Sequence, residues 1–158
     1  MNKILQEKIL WINSLNKASG TTNNFYYDIY GVLHPEAKNI TFQLLDAMIS
    51  ITTVDDVFLQ EAIMILFNFS VSHNQYSKSL NNFIIGGIIS PMLISNNYSD
   101  QMIKEGPIYQ IRSFPDGLIN IRITNNSYVD LEDNTSEEDE GPFPPSRVIL
   151  CLKFTYEI

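Results

Sequence analysis

The chain has 158 residues, 44 % of them hydrophobic and only 18 % charged, with a formal net charge of −8. That length suits one domain with a core of its own, and the absence of a basic stripe argues against direct nucleic-acid binding by phosphate neutralisation. A single cysteine, Cys151, excludes an intrachain disulfide and a cysteine-rich metal site.

The charged fraction lies below the usual quarter or so of a globular chain. Such a surface fits a protein partly covered by partners, and it fits equally a composition rich in Ile and Asn. The N-terminal stretch MNKILQEKILWINS has no uninterrupted apolar segment of signal-peptide type, so a protein made in the cell interior and not secreted is expected. The longest apolar run, Phe83 to Ile89, contains two glycines and is too short for a transmembrane segment.

Period-two alternation dominates the chain. Glu7 to Asn13 reads as a short strand carrying Trp11. The next residues, Asn16 to Asn24, are small or polar, and Phe25, Tyr27 and Ile29 then share one face of a second strand. Gly31 to Lys38, with Pro35, is a connecting loop. From Asn39 to Ile51, Ile40, Phe42 and Leu44 alternate with Thr41 and Gln43 before the pattern becomes less regular. Glu61 to Val71 reads as one strand, with Phe67, Phe69 and Val71 on one side. Asn82 to Ser95 is β-rich, but Gly86, Gly87 and Pro91 mark it as bulged, interrupted or at an edge.

Ile108 to Ser113 and Leu118 to Thr124 flank Pro115-Asp116-Gly117, which predicts a tight hairpin joining two strands of one sheet. Tyr128 to Pro145 is an acidic, Pro-containing excursion. It concentrates Asp130, Glu132, Asp133, Glu137, Glu138, Asp139 and Glu140, and without these seven the rest of the chain is close to neutral. Finally, Val148, Leu150, Leu152, Phe154 and Tyr156 face one way, and Ile149, Cys151, Lys153, Thr155 and Glu157 the other. About eight strands and no long amphipathic helix predict an all-β, single-domain antiparallel β-sandwich over residues 1–158, with jelly roll the leading topology. A strand at each end of the sequence suits that topology, in which the first and last strands are neighbours. The expected hairpin pulls toward an immunoglobulin-like sandwich or a lipocalin-like barrel.

Little in the sequence carries chemistry. Ser14 to Phe25 is neither a Walker loop nor a dinucleotide fingerprint, having one glycine and no G-K-[ST] ending. His34 and His73 fall in loops, and Cys151 lies mid-strand among apolar neighbours, the setting of a packed thiol rather than a nucleophile. Asp55, Asp56 and Glu61 read as solvated turn acids. The acidic stretch lacks the spacing of a calcium loop and suits a solvated loop or a contact with a basic partner surface. No catalytic constellation, cofactor site or metal site is expected.

One segment has a recognisable pattern. A strand ending in I-x-S, then N-K-x-x-G-T-T, two polar residues and an aromatic, is formed here by Ile12, Ser14, Asn16, Lys17, Gly20, Thr21, Thr22 and Phe25. It resembles the N-terminal pattern of small single jelly-roll capsid proteins of large eukaryotic double-stranded DNA viruses, virophages and polinton-like viruses. Lys17 and Thr22 stand where Arg and Ser are commoner. The resemblance implies a non-enzymatic virion protein, a minor capsid component or a penton. Its partners would be other capsid proteins, the major capsid protein among them, in a homo- or hetero-oligomer, with the acidic residues as a partner-contact loop. The reading from another class is a monomeric glycan- or peptide-binding module using Tyr26, Tyr30 and Tyr98; an enzyme using His34 or His73 is a third.

Overall fold

The computed structural model describes residues 3–52, 63–71, 83–89, 98–103, 105–124 and 145–158. In chain order these form β1 (Leu5–Asn13), a 3-10 turn (Ser14–Asn16), β2 (Ser19–Gly20), β3 (Asn24–Asp28), β4 (Lys38–Thr52) and β5 (Ile63–Phe67). They continue with β6 (Ser70–Val71), β7 (Ile84–Ile89), β8 (Tyr98–Ile103), β9 (Ile108–Ser113), β10 (Leu118–Thr124) and β11 (Pro145–Glu157).

All pairings are antiparallel and divide into two sheets. One runs β1-β11-β4-β9-β6, with β8 also on β4; the other runs β2-β3-β10-β5-β7. On one side β4 is paired along its length with β11. On the other side its Thr41–Gln43 stretch takes β9 and its Ala47–Thr52 stretch takes β8. Strands β8 and β9 are thus two halves of one interrupted strand. Counting them as one and setting aside the two-residue β2 and β6, the sheets hold principal strands 1-8-3-6 and 2-7-4-5. That interleaved order is a jelly roll. Strand β1 pairs residue for residue with β11, so the first and last strands are neighbours as expected.

Hydrophobic alternation accounts for the core. Ile119, Ile121 and Ile123 of β10 are fully buried, as are Val148, Leu150, Leu152 and Phe154 of β11. In β4 the inward residues are Ile40, Phe42 and Leu44, then Ala47 and Ile49. The slip from even to odd positions is a β-bulge, where the register with β11 skips Leu45. It explains the irregular half of that apolar run. Between the sheets, Phe42 and Phe154 from one meet Phe67 from the other, with Phe69 and Phe114 completing the cluster. Ring centroids are 4.9 Å apart for Phe42–Phe67 and 5.4 Å for Phe114–Phe154. Each such pair contributes roughly 0.5–1.5 kcal/mol beyond area burial.

Three expectations need correction. The residues flanking Pro115-Asp116-Gly117 are not a hairpin of one sheet: β9 pairs with β4, whereas β10 pairs with β3 and β5 in the opposite sheet. Phe114 is drawn between the sheets at this corner, against Phe69 and Phe154, and its burial overrides the local turn signal. The run from Glu61 to Val71, described from Ile63 onward, is two strands: β5 belongs to one sheet and β6 to the other. Where they part, the Asn120 amide N–H donates to the Asn68 side-chain carbonyl at 2.9 Å, so a side chain replaces the backbone acceptor as the chain leaves the sheet. Finally, β8 was not expected at all, since Tyr98–Ile103 is largely polar and lacks an alternating pattern.

Candidate contact surface

The patterned segment around Gly20 is the corner that carries the chain from β1 in one sheet to β3 in the other. Ile12 is fully buried in the core, and so is Phe25 at the far end. Between them the Ser14 side chain, also fully buried, accepts a hydrogen bond at 2.9 Å from the Val148 N–H of β11. The Asn13 side chain accepts from Leu15 N–H at 3.0 Å and opens the 3-10 turn. Gly20 has φ +92°, and a Cβ there would press on the Asn24 carbonyl oxygen and lie 2.8 Å from the Phe25 Cα. Thr21 closes the turn, its N–H donating to the Asn24 carbonyl at 3.0 Å and its hydroxyl to the Asn23 side chain. Asn23, nearly buried, accepts through its carbonyl from the Ile123 N–H at 2.8 Å. The pattern is therefore a structural corner, with no ligand-cradling geometry in it.

This corner and β1 together present an apolar surface. Odd-numbered residues of β1 point away from the core, so Leu5, Ile9 and Trp11 are exposed at 69, 40 and 61 %. Leu15 of the corner adds an exposure of 64 %. Among the described residues β1 ends its sheet, with β11 as its one strand partner, so this row sits on an edge. Across the register, Ile9 faces Lys153 and Trp11 faces Cys151. Glu7 on the same row is held by Lys153 at 2.9 Å. Lys8, by parity on the core side opposite Phe154, is nonetheless exposed. An inward-pointing charge of that kind discourages strand addition at an edge, which leaves the outward apolar face for contact.

The residues singled out for chemistry are scattered. His34 lies in the turn between β3 and β4, where its Nδ1 accepts from the Glu36 N–H at 3.2 Å. Cys151 is buried in the middle of β11, and burial first and the nearby Asp46 second push its thiol above the ordinary value. Tyr26 is on β3 in one sheet, Tyr30 follows β3 in the next turn, and Tyr98 begins β8 in the other sheet, so they do not share a strand. Asp130, Glu132, Asp133, Glu137, Glu138, Asp139 and Glu140 lie outside the described residues, as do Asp55, Asp56, Glu61 and His73. Among the described residues, no group of three or more His, Cys, Asp or Glu could hold a metal ion, and no helix is long and apolar enough to cross a membrane.

Sequence reasoning placed Trp11 in a strand but did not see that its face is the exposed one. Parity alone could not have told it: Leu10 and Ile12 are as apolar as Ile9 and Trp11. In comparisons with known proteins, no family model and no curated protein matches this chain.

Proposed function

We propose that the chain is a structural virion protein, a minor capsid component that works by contacts with neighbouring capsid proteins in a symmetric shell and catalyses nothing. The observation that carries this reading is the outward apolar row of Leu5, Ile9 and Trp11, extended by Leu15, on a terminal strand of a jelly roll. Aromatic and aliphatic side chains exposed in one row are what a buried interface core is made from. The resemblance of the Ile12–Phe25 corner to small capsid proteins points the same way. Symmetric packing would bury this face against a neighbour while leaving the sandwich unchanged.

The test is light scattering coupled to size exclusion on the wild-type chain and on Trp11→Glu, alone and mixed with candidate capsid partners. The wild type is expected to self-associate or to co-elute with a capsid partner, and Trp11→Glu to release a folded monomer. A wild type that stays monomeric at high concentration, binds no capsid protein and is indifferent to Trp11→Glu would overturn the proposal.

A further inference from the structure

The outer face of the β1-β11-β4 sheet carries two opposite charges at separate places. On β11, Arg147, Ile149 and Cys151 alternate with the core residues Val148 and Leu150 and so point outward. Their register partners on β4 are Ser50, Met48 and Asp46, and Trp11 of β1 stands on the other side of Cys151. Arg147, Ile149, Met48 and Asp46 are all half-buried. Asp46 Oδ1 accepts from the Ala47 N–H at 2.8 Å, but among the described residues neither Asp46 nor Arg147 forms an ion pair. Elsewhere on this face Glu7 is held by Lys153 at 2.9 Å, and Asp100 of β8 stands two strands from Arg147, beyond Ser50.

The Arg147 row and the Asp46 row are four residues apart along β11, with the Ile149–Met48 row midway between them; at the rise of a strand the separation is about 13 Å. A two-fold axis lying in the plane of contact along that middle row lays the Arg147 row of one copy on the Asp46 row of the other. From this self-complementary spacing we infer that the outer face of β11 and β4 packs on the same face of a second copy, with Arg147 of each chain paired to Asp46 of the other. Ile149 and Met48 form the apolar centre of the contact, and Trp11 and Ile9 widen it toward the β1 edge. An isologous interface makes each pairing twice. Facing sheets pack about 10 Å apart, a gap that an arginine and an aspartate side chain span together. A purely apolar partner would bury both charges unpaired, at a cost, whereas a second copy supplies both opposite charges at the matching separation. The inference rests on the contact face of the capsid reading and names its occupant as a second copy of this chain.

The experiment is sedimentation equilibrium on the whole chain as wild type, as Asp46→Arg, as Arg147→Asp, and as an equal mixture of the two variants. The wild type is expected to be dimeric. Each variant alone sets like charges face to face at both pairings and is expected to bind itself at least about tenfold more weakly. The mixture is expected to recover a one-to-one heterodimer, because one chain then carries both cations and the other both carboxylates. Circular dichroism checks the fold of each variant; where a reversal unfolds the chain, Asp46→Asn and Arg147→Gln replace it, and each is expected to weaken the dimer. A wild type that associates but is indifferent to these changes, or a mixture that stays monomeric, overturns this inference and leaves the capsid reading standing. A wild-type monomer overturns it as well, and overturns the capsid reading too when that monomer binds no capsid protein.

Discussion

The hydroxyl of Ser14 takes the place of a backbone acceptor for Val148, 134 residues later in the chain, with the two atoms 2.9 Å apart and the serine fully buried. This bond ties the exit of β1 to the entry of β11 at the point where β1 stops pairing and the chain turns toward the other sheet. A buried N–H without a partner costs its full desolvation. Ser14→Ala is therefore expected to destabilise the fold by about 1–3 kcal/mol, read as a lower urea midpoint with an unchanged slope. An effect within error would show that water reaches Val148.

A second close approach holds the opposite edge together. Gly106 sits in the break between β8 and β9, its N–H donating to the Leu44 carbonyl at 2.7 Å, and its carbonyl accepts from the Gln43 side chain at 3.0 Å. A Cβ on Gly106 would run into the carbonyl oxygen of Gly86, the extra residue in the β5–β7 register of the other sheet. The Tyr109 hydroxyl donates to the Ile85 carbonyl at 2.6 Å along the same seam. Backbone cannot yield as a flexible side chain does, so Gly106→Ala should cost at least the roughly 1–3 kcal/mol of core overpacking. Gly31, at φ +68° with open space around it, should accept Asn with a much smaller loss. Thermal unfolding of both variants checks the order.

What the sequence disclosed and what it hid follow from the same physics. Long two-sided alternation, as in Val148 to Tyr156, is a property of the chain itself, so β10, β11 and the core half of β4 were legible. The crossing at Asn68 was hidden because Phe67, Phe69 and Val71 keep one alternation through a change of sheet. The Pro115-Asp116-Gly117 corner misled for a related reason. Its local chemistry suits a hairpin, and the burial of Phe114 between the sheets decides otherwise. Among the described residues, the ladder partner of β8 is β4, a contact no local pattern announces. The contact face depends on which strand ends the sheet.

Glu157 provides a pH-dependent contact near the start of β4. Its carboxylate accepts from the Asn39 side chain at 2.8 Å and pairs with Lys3 at 3.0 Å. Chiefly the hydrogen bond from Asn39, and then Lys3, hold its pKa below the ordinary carboxylate value. A depressed carboxylate contributes stability that is present above the unfolded-state value and is lost as pH falls through the folded one. Asn39 has φ +51°, so Asn39→Gly removes the donor without straining the backbone. The Glu157 titration followed by carboxyl NMR should move upward in Asn39→Gly, and also in Lys3→Ala. An unmoved titration in Asn39→Gly would mean that Asn39 is not the group holding it down.

Cys151 titrates in the opposite direction. Burial raises its pKa above the ordinary thiol value, and Asp46, its register neighbour on β4, raises it further. The folded state prefers the thiol, so raising the pH through the ordinary value draws the equilibrium toward the unfolded chain, where the thiolate is free to form. Native stability should therefore decline on the alkaline side. The thiol should react with a disulfide reagent far more slowly in the folded protein than in urea, because the thiolate is the nucleophile and the sulfur is covered. Asp46→Asn removes the smaller of the two causes and leaves burial in place, so the rate should rise modestly and stay well below the unfolded rate. A folded-state rate close to that in urea would instead place Cys151 at an accessible surface, in conflict with its burial in the middle of β11.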